Sequence, residues 1–243
     1  MTPIDNSDLP LVLIGGTLCN TRLWQPLVAQ LNVSAVTCLT LTRDDSAEQA
    51  SRRLLRLLPP RFLLAGFSLG AIVALQMAAD APARLAGLAL LSVNPLADRP
   101  ENAPVRRAAV QAAREQGHAR WIAAALWHKY VARDNLNNPA LRDLICQMAD
   151  ETDRATFARQ SEIAISRRDN RRALSALTCP VVILGGDEDP VCTPEHHRQA
   201  AESAPGATRL SLNSAVHFFV LEAAERAAAP LRHWIMESLN AHQ

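Results

Sequence analysis

The sequence predicts an α/β protein: a mostly parallel sheet of about six strands flanked by helices. Three observations point there. Short apolar runs alternate along the chain with longer stretches of helical spacing. Those runs are apolar at every position instead of every second one, the pattern of strands covered on both faces. The 243 residues, 49% of them hydrophobic, suffice for one generous core but hardly for two full domains, and are too apolar for disorder.

Residues 9–14 (LPLVLI) read as a buried strand ending at Gly15-Gly16, and 23–31 as a helix. A second strand covers 35–41. Residues 46–58 carry apolar side chains at helical spacing and stop at Pro59-Pro60. A third strand over 62–65 turns into an alanine-rich helix over 69–80. Residues 85–92 (LAGLALLS), 181–184 behind Pro180, and 208–212 complete the sheet. Between 94 and 176 the rhythm changes. Only helix-forming segments appear there, at 105–117, 120–133 and 138–148. The expectation is a core built from 1–93 and 177–243, with 94–176 inserted as a helical cap over the end of the sheet.

Composition excludes several function classes. A formal charge of +1, from 25 basic and 24 acidic residues, argues against a nucleic-acid binder, which would want a strongly basic face. No apolar run approaches the roughly 18–20 residues of a membrane-spanning helix. The first ten residues lack the basic region and apolar stretch of a secretory signal. Five cysteines, scattered without CxxC spacing, argue against a disulfide framework or a zinc site; reduced thiols in a cytoplasm fit best. The near-neutral total hides an imbalance. Residues 96–176 hold 14 basic and 10 acidic side chains, a local +4, whereas the remainder holds 11 and 14, or −3.

The strongest chemical signal is Gly66-Phe67-Ser68-Leu69-Gly70, directly after a strand and directly before a helix. A serine on so sharp a turn exposes its hydroxyl above the sheet, and flanking glycines permit close backbone approach. A serine hydroxyl is a weak nucleophile that needs a base, itself oriented by an acid. The fifth strand runs into Gly186-Asp187-Glu188-Asp189-Pro190, which puts carboxylates at the C-terminal edge of a parallel sheet. Asp189 is the preferred acid, with Asp187 and Glu188 as competitors. His217, in a loop after the last strand and followed by two phenylalanines, is the best-placed base; the other six histidines fall on helices, in the insertion or at the chain end. Stabilising a tetrahedral oxyanion takes backbone N–H groups. The residue after the serine, Leu69, supplies one at a helix N-terminus, and the loop Gly15-Gly16-Thr17-Leu18 can supply another.

The chain resembles an α/β-hydrolase of the small, helically capped, esterase- or lactonase-like type. The resemblance covers nearly its whole length, through LVLIGGTLCNTRLW, FLLAGFSLGAIVAL, CPVVILGGDEDPV and AVHFFVLE. It implies the α/β-hydrolase fold, with Ser68 as nucleophile, Asp189 as acid, His217 as base, and Thr17 and Leu69 as oxyanion-hole donors. Gly16, Trp24, Trp121 and Trp127 are the expected substrate-binding residues. Three departures stand out. The family's usual His-Gly before the oxyanion residue is Gly15-Gly16 here. Its first two-strand hairpin has no room before Leu9, which predicts a sheet short by about two strands. Its D-x-x-G-x-G-x-S stretch is replaced by Thr42-Arg43-Asp44-Asp45-Ser46.

The function implied is hydrolysis of a small-molecule carboxylic ester, lactone or thioester, with no metal and no organic cofactor. The same three residues would also serve carbon–carbon bond hydrolysis or proton-abstracting elimination, and an inert ligand-binding member of the fold is a further alternative. In the insertion, Arg167-Arg168 and Arg171-Arg172 read as a solvated helix face rather than a substrate clamp. No nucleic acid or membrane partner is expected, and the oligomeric state is left open.

Overall fold

The computed structural model of the protein describes residues 3–242. Its sheet is built from β1 (Leu11–Ile14), β2 (Val36–Leu39), β3 (Phe62–Phe67), β4 (Leu85–Leu91), β5 (Val181–Gly186) and β6 (Thr208–Leu212), in the order β2-β1-β3-β4-β5-β6. Every pairing is parallel. The four inner strands are buried along their whole length, while β2 and β6 at the edges are partly exposed. Parallel strands need crossovers, and most of these are helical. They are α1 (Gln25–Leu31), α2 (Ala47–Leu57) and α3 (Leu69–Asp80) in the first half. Between β4 and β5 the chain forms α4 (Asn102–Gln116), α5 (His118–Ala125), α6 (Trp127–Tyr130), α7 (Pro139–Asp150), α8 (Arg154–Ser166) and α9 (Arg171–Ser175). After β5 come α10 (Pro194–Glu202), α11 (Phe219–Glu222) and α12 (Ala224–Asn240). No described helix is long and apolar enough to cross a membrane.

Two hydrophobic layers sandwich the sheet, and strand alternation assigns residues to them. Leu11 and Leu13 of β1 face the layer containing Leu27, Leu31, Leu231 and Trp234; Val12 and Ile14 face that of Leu54, Val73 and Met77. Ser46 opens α2, its hydroxyl accepting from the Gln49 N–H at 3.3 Å. α3 is apolar on nearly all sides because α2, the sheet, α8 and α9 surround it.

Three sequence expectations shift. β3 runs on through Gly66 and Phe67, since Gly66 pairs with Ile14 on one side and Leu90 on the other. β2 is shorter than 35–41, as an edge strand with one neighbour has less to hold its ends. The helix expected over 120–133 breaks at Leu126. There the Trp127 indole donates to the Leu136 carbonyl at 3.0 Å, and the Ala132 N–H to the Glu222 carboxylate at 2.6 Å, drawing the chain out of helical register.

The chain passes from β1 to β2 on one side, then to β3 on the other. The loops after β1 and β3 therefore diverge at a switch point, where open α/β sheets leave a crevice at the C-terminal edge of the strands. Two glycines allow the elbow after β3 to sit there. A Cβ on Gly66 would stand 2.4 Å from the Gly70 carbonyl oxygen, and one on Gly70 would stand 2.0 Å from that of Ile14. Both contacts are to backbone, which has nowhere to yield. Gly70→Ala is expected to cost about 3 kcal/mol or more, a fall in Tm of roughly 5–10 °C for a chain of this size. Thermal unfolding beside the wild type checks this; an unchanged Tm would contradict the packing described.

Candidate active site

Ser68 follows β3 directly and precedes the first residue of α3, with φ 53° and ψ −112°. This is a backbone region that residues other than glycine rarely occupy, held here by a bond from the Ser68 N–H to the Leu91 carbonyl at 2.9 Å. The turn aims the side chain out of the sheet. The Ser68 hydroxyl lies 3.0 Å from Nε2 of His217, whose Nδ1 lies 2.9 Å from Oδ2 of Asp189. An ionised carboxylate only accepts, so Nδ1–H donates to Asp189 and Nε2 is left to accept from the serine.

Two late segments, with support from Ser92 and Tyr130, hold this line in place. Asp189 follows β5, and Oδ1 of its carboxylate accepts from the N–H groups of Val191 and Cys192 at 2.8 and 2.9 Å. Burial by itself would raise the Asp189 carboxyl; His217 and those two N–H groups outweigh it and hold the carboxyl below its usual range. Of the three competing acids only Asp189 is buried. Asp187 and Glu188 are exposed, Asp187 making a long 3.4 Å contact with the Ala215 N–H. His217 is 3% exposed, packed among Phe67, Tyr130 and Phe218, with the Tyr130 ring stacked at 5.8 Å. The Ser92 hydroxyl donates to the His217 carbonyl at 3.2 Å, and the Phe218 N–H to that of Tyr130 at 2.9 Å.

Thr17 and Leu69 both line the cavity above Ser68, and neither N–H has an acceptor among the described residues. The loop carrying Thr17 is pinned from the opposite segment of the chain. Gln160 of α8, itself buried, accepts the Leu18 N–H at 2.9 Å and donates to the Leu41 carbonyl at 2.8 Å. Gly16 presses on the elbow from below, for a Cβ there would stand 3.0 Å from the Phe67 ring and 3.4 Å from Ser68 Cβ.

The cavity holds about 280 Å3. Its wall is mainly apolar, including Ile72, Val105, Leu126 and Phe157, and Trp121 is part of it. Trp24 and Trp127 are not. Trp24 is buried behind Phe67, edge to face at 6.4 Å, and Trp127 is buried with its indole bonded to Leu136. Large aromatic area is better hidden in a core than on a wall, and both side chains are 8% exposed or less.

The expected solvated arginine face holds only in part. Arg168 pairs with Glu48 and Arg171 with Asp169, but Arg167 turns inward to line the cavity. Tyr130, which shares a helical stretch with Trp121 and Trp127 in the sequence, lines it too, and Asn94, Arg106, Phe157, Gln160 and Cys192 do so without having been singled out from the sequence. One signal was available: Gln160 is a polar residue on the stripe of Phe157, Ser161 and Ala164, at helical spacing. No group of three or more His, Cys, Asp or Glu side chains is placed to hold a metal ion among the described residues.

Comparison with known proteins gives a consistent result. The family model described as the alpha/beta hydrolase family matches residues 11–230. A curated relative, the pimeloyl-(acyl-carrier protein) methyl ester esterase of Stenotrophomonas maltophilia (strain K279a), is 28% identical over 186 residues, covering 72% of this chain and 70% of that protein. Among solved structures, a thermophilic esterase from Thermogutta terrifontis with malate bound superposes with a TM-score of 0.83 at 24% identity, over 95% of this chain and 90% of the other. The enol-lactonase from Burkholderia xenovorans LB400 does so at 0.83 and 20% identity, over 97% and 95%.

Proposed function

The chain belongs to the alpha/beta hydrolase family, and on that premise we propose that it is a serine hydrolase cleaving a small-molecule carboxylic ester, lactone or thioester. The observation that carries this reading is the line Ser68–His217–Asp189, closed by contacts of 3.0 and 2.9 Å at the floor of the cavity. The methyl ester esterase relative supports the ester class.

His217 Nε2 takes the proton of Ser68 as Oγ attacks the carbonyl carbon. Asp189 keeps the imidazole in the tautomer that can accept that proton and balances the imidazolium that forms. The N–H groups of Thr17 and Leu69 receive the oxyanion, Leu69 from a helix N-terminus whose dipole favours negative charge. His217 then protonates the departing alcohol or thiol, and water activated by the same ring releases the acid. No step needs a metal or an organic cofactor.

Residues 94–176 act in this scheme as a cap. They roof the cavity through Trp121, Leu126, Tyr130 and Phe157 and reach the oxyanion loop through Gln160. Gln160 is then a positioning residue. Gln160→Leu strands the buried Leu18 N–H and Leu41 carbonyl, at a cost of about 1–3 kcal/mol in stability. Because Thr17 would lose its alignment, kcat should fall roughly ten-fold with KM little changed. Gln160→Glu keeps an acceptor for Leu18 and should recover part of that kcat. Steady-state kinetics on p-nitrophenyl acetate separate the cases; equal kcat in all three proteins would contradict the coupling.

A further inference from the structure

Two guanidiniums and one carboxylate meet on the cap side of the cavity. Asp98, its side chain 2% exposed, pairs with Arg106 of α4 through Nε at 2.6 Å and with Arg167 at the end of α8 through Nη2 at 3.1 Å. Arg167 is anchored further, donating from Nε to the Leu96 carbonyl and from Nη1 to that of Ala164, both at 2.9 Å. Both arginines line the cavity that contains Ser68 and His217. Buried ionic groups are ordinarily matched in charge. Here two positive charges, Arg167 buried and Arg106 partly exposed, share one negative, leaving a positive excess on a mainly apolar wall. Donors are left over as well: Arg106 Nη1 and the Asn94 side-chain amide have no acceptor among the described residues.

We propose that Arg106 and Arg167, with Asn94, form a carboxylate subsite, and that the preferred substrates are half-esters of dicarboxylic acids: one carboxyl esterified and placed at Ser68, the other free and held by the arginines. This rests on the serine-hydrolase reading of the same cavity for the ester end only. Guanidinium forks match carboxylates in plane and spacing. That positive excess suits a carboxylate better than a doubly charged phosphate. The apolar wall formed by Ile72, Val105 and Phe157 suits the methylene chain between the two ends. Both guanidiniums also act on the buried Cys192 thiol, which neighbours Asp189, so their field reaches the reacting end.

Binding to the Ser68→Ala protein tests this without turnover. Monomethyl glutarate and monomethyl adipate are titrated calorimetrically beside the neutral methyl pentanoate and methyl hexanoate. The half-esters should bind about ten-fold tighter or better, an advantage that shrinks in rising salt. Arg106→Gln on the same background should bring the ratio towards one, and Arg106→Lys, which keeps charge but loses the fork, should fall between. Arg106 is partly exposed, so these variants are expected to fold, and thermal unfolding verifies it. Equal affinity for half-esters and neutral esters, no saturable half-ester binding, or a preference that survives both substitutions would overturn the subsite. Those results would leave Ser68 chemistry intact, which is read separately from covalent labelling of the unsubstituted protein.

Discussion

Ser68→Ala is expected to lower kcat on activated esters by about five to six orders of magnitude, to a rate supplied by the oxyanion donors and binding alone. The reason is local. His217 has no other hydroxyl within bonding distance of Nε2 among the described residues, so removing Oγ removes the nucleophile while leaving a base with nothing to deprotonate. The fold should be unaffected. Alanine tolerates φ 53° no worse than serine does, and the bond that holds the elbow comes from the Ser68 backbone N–H, which alanine retains. Unchanged thermal unfolding with turnover reduced to that residual rate is the expected pair of results. Substantial activity in a folded Ser68→Ala protein would mean that the chemistry lies elsewhere.

The second large effect separates two acids that stand two residues apart. Asp189→Asn should lower kcat about ten-thousand-fold. An amide at that position can donate to Nδ1 as well as accept from it, so the imidazole loses the constraint that keeps Nε2 free to take the serine proton. Asp187→Asn should change kcat by less than about two-fold, since Asp187 is exposed and its carboxylate makes, among the described residues, one long bond, to the Ala215 N–H at 3.4 Å. Kinetics of the two variants on one activated ester decide the matter. Equal losses, or a larger loss at Asp187, would place the acid wrongly.

That contrast also shows where sequence reasoning runs out. Buried strands announce themselves by composition, and the G-x-S-x-G turn is local chemistry, so the sheet, the elbow and the position of His217 after the last strand were all legible. Among Asp187, Glu188 and Asp189 the sequence supported a preference for Asp189 but left two competitors, because which of them points inward depends on where a loop some 28 residues later settles. β3 was read as ending at Ala65 because Gly66 resembles a turn residue, yet pairing with β1 and β4 carries it through Gly66, and pairing with β4 carries it to Phe67. The sheet itself was legible at six strands, the number found among the described residues.

The segment between β4 and β5 was harder for a physical reason. Its helices pack against one another and also line the cavity, so an apolar face at helical spacing can mean core or cavity wall alike. Trp121 and Trp127 illustrate it: six residues apart, one lines the cavity and the other is buried against Leu136. Arg167 is the converse case. In the sequence it is one of four arginines in a polar stretch; in the structure it is the buried one, because Asp98 waits on the loop after β4. Ion pairs between distant segments leave no periodic trace. The +4 charge of residues 96–176 pointed to that region without saying which arginines face inward.

The most direct test of the account is covalent labelling of the intact protein with a fluorophosphonate, followed by mass spectrometry of its peptides. One adduct per chain, on the peptide bearing Ser68, formed rapidly in the wild type, slowly in Asp189→Asn and not at all in Ser68→Ala, is the predicted result. An unlabelled Ser68 in protein that still hydrolyses esters, or a stoichiometric adduct on another residue, would contradict it.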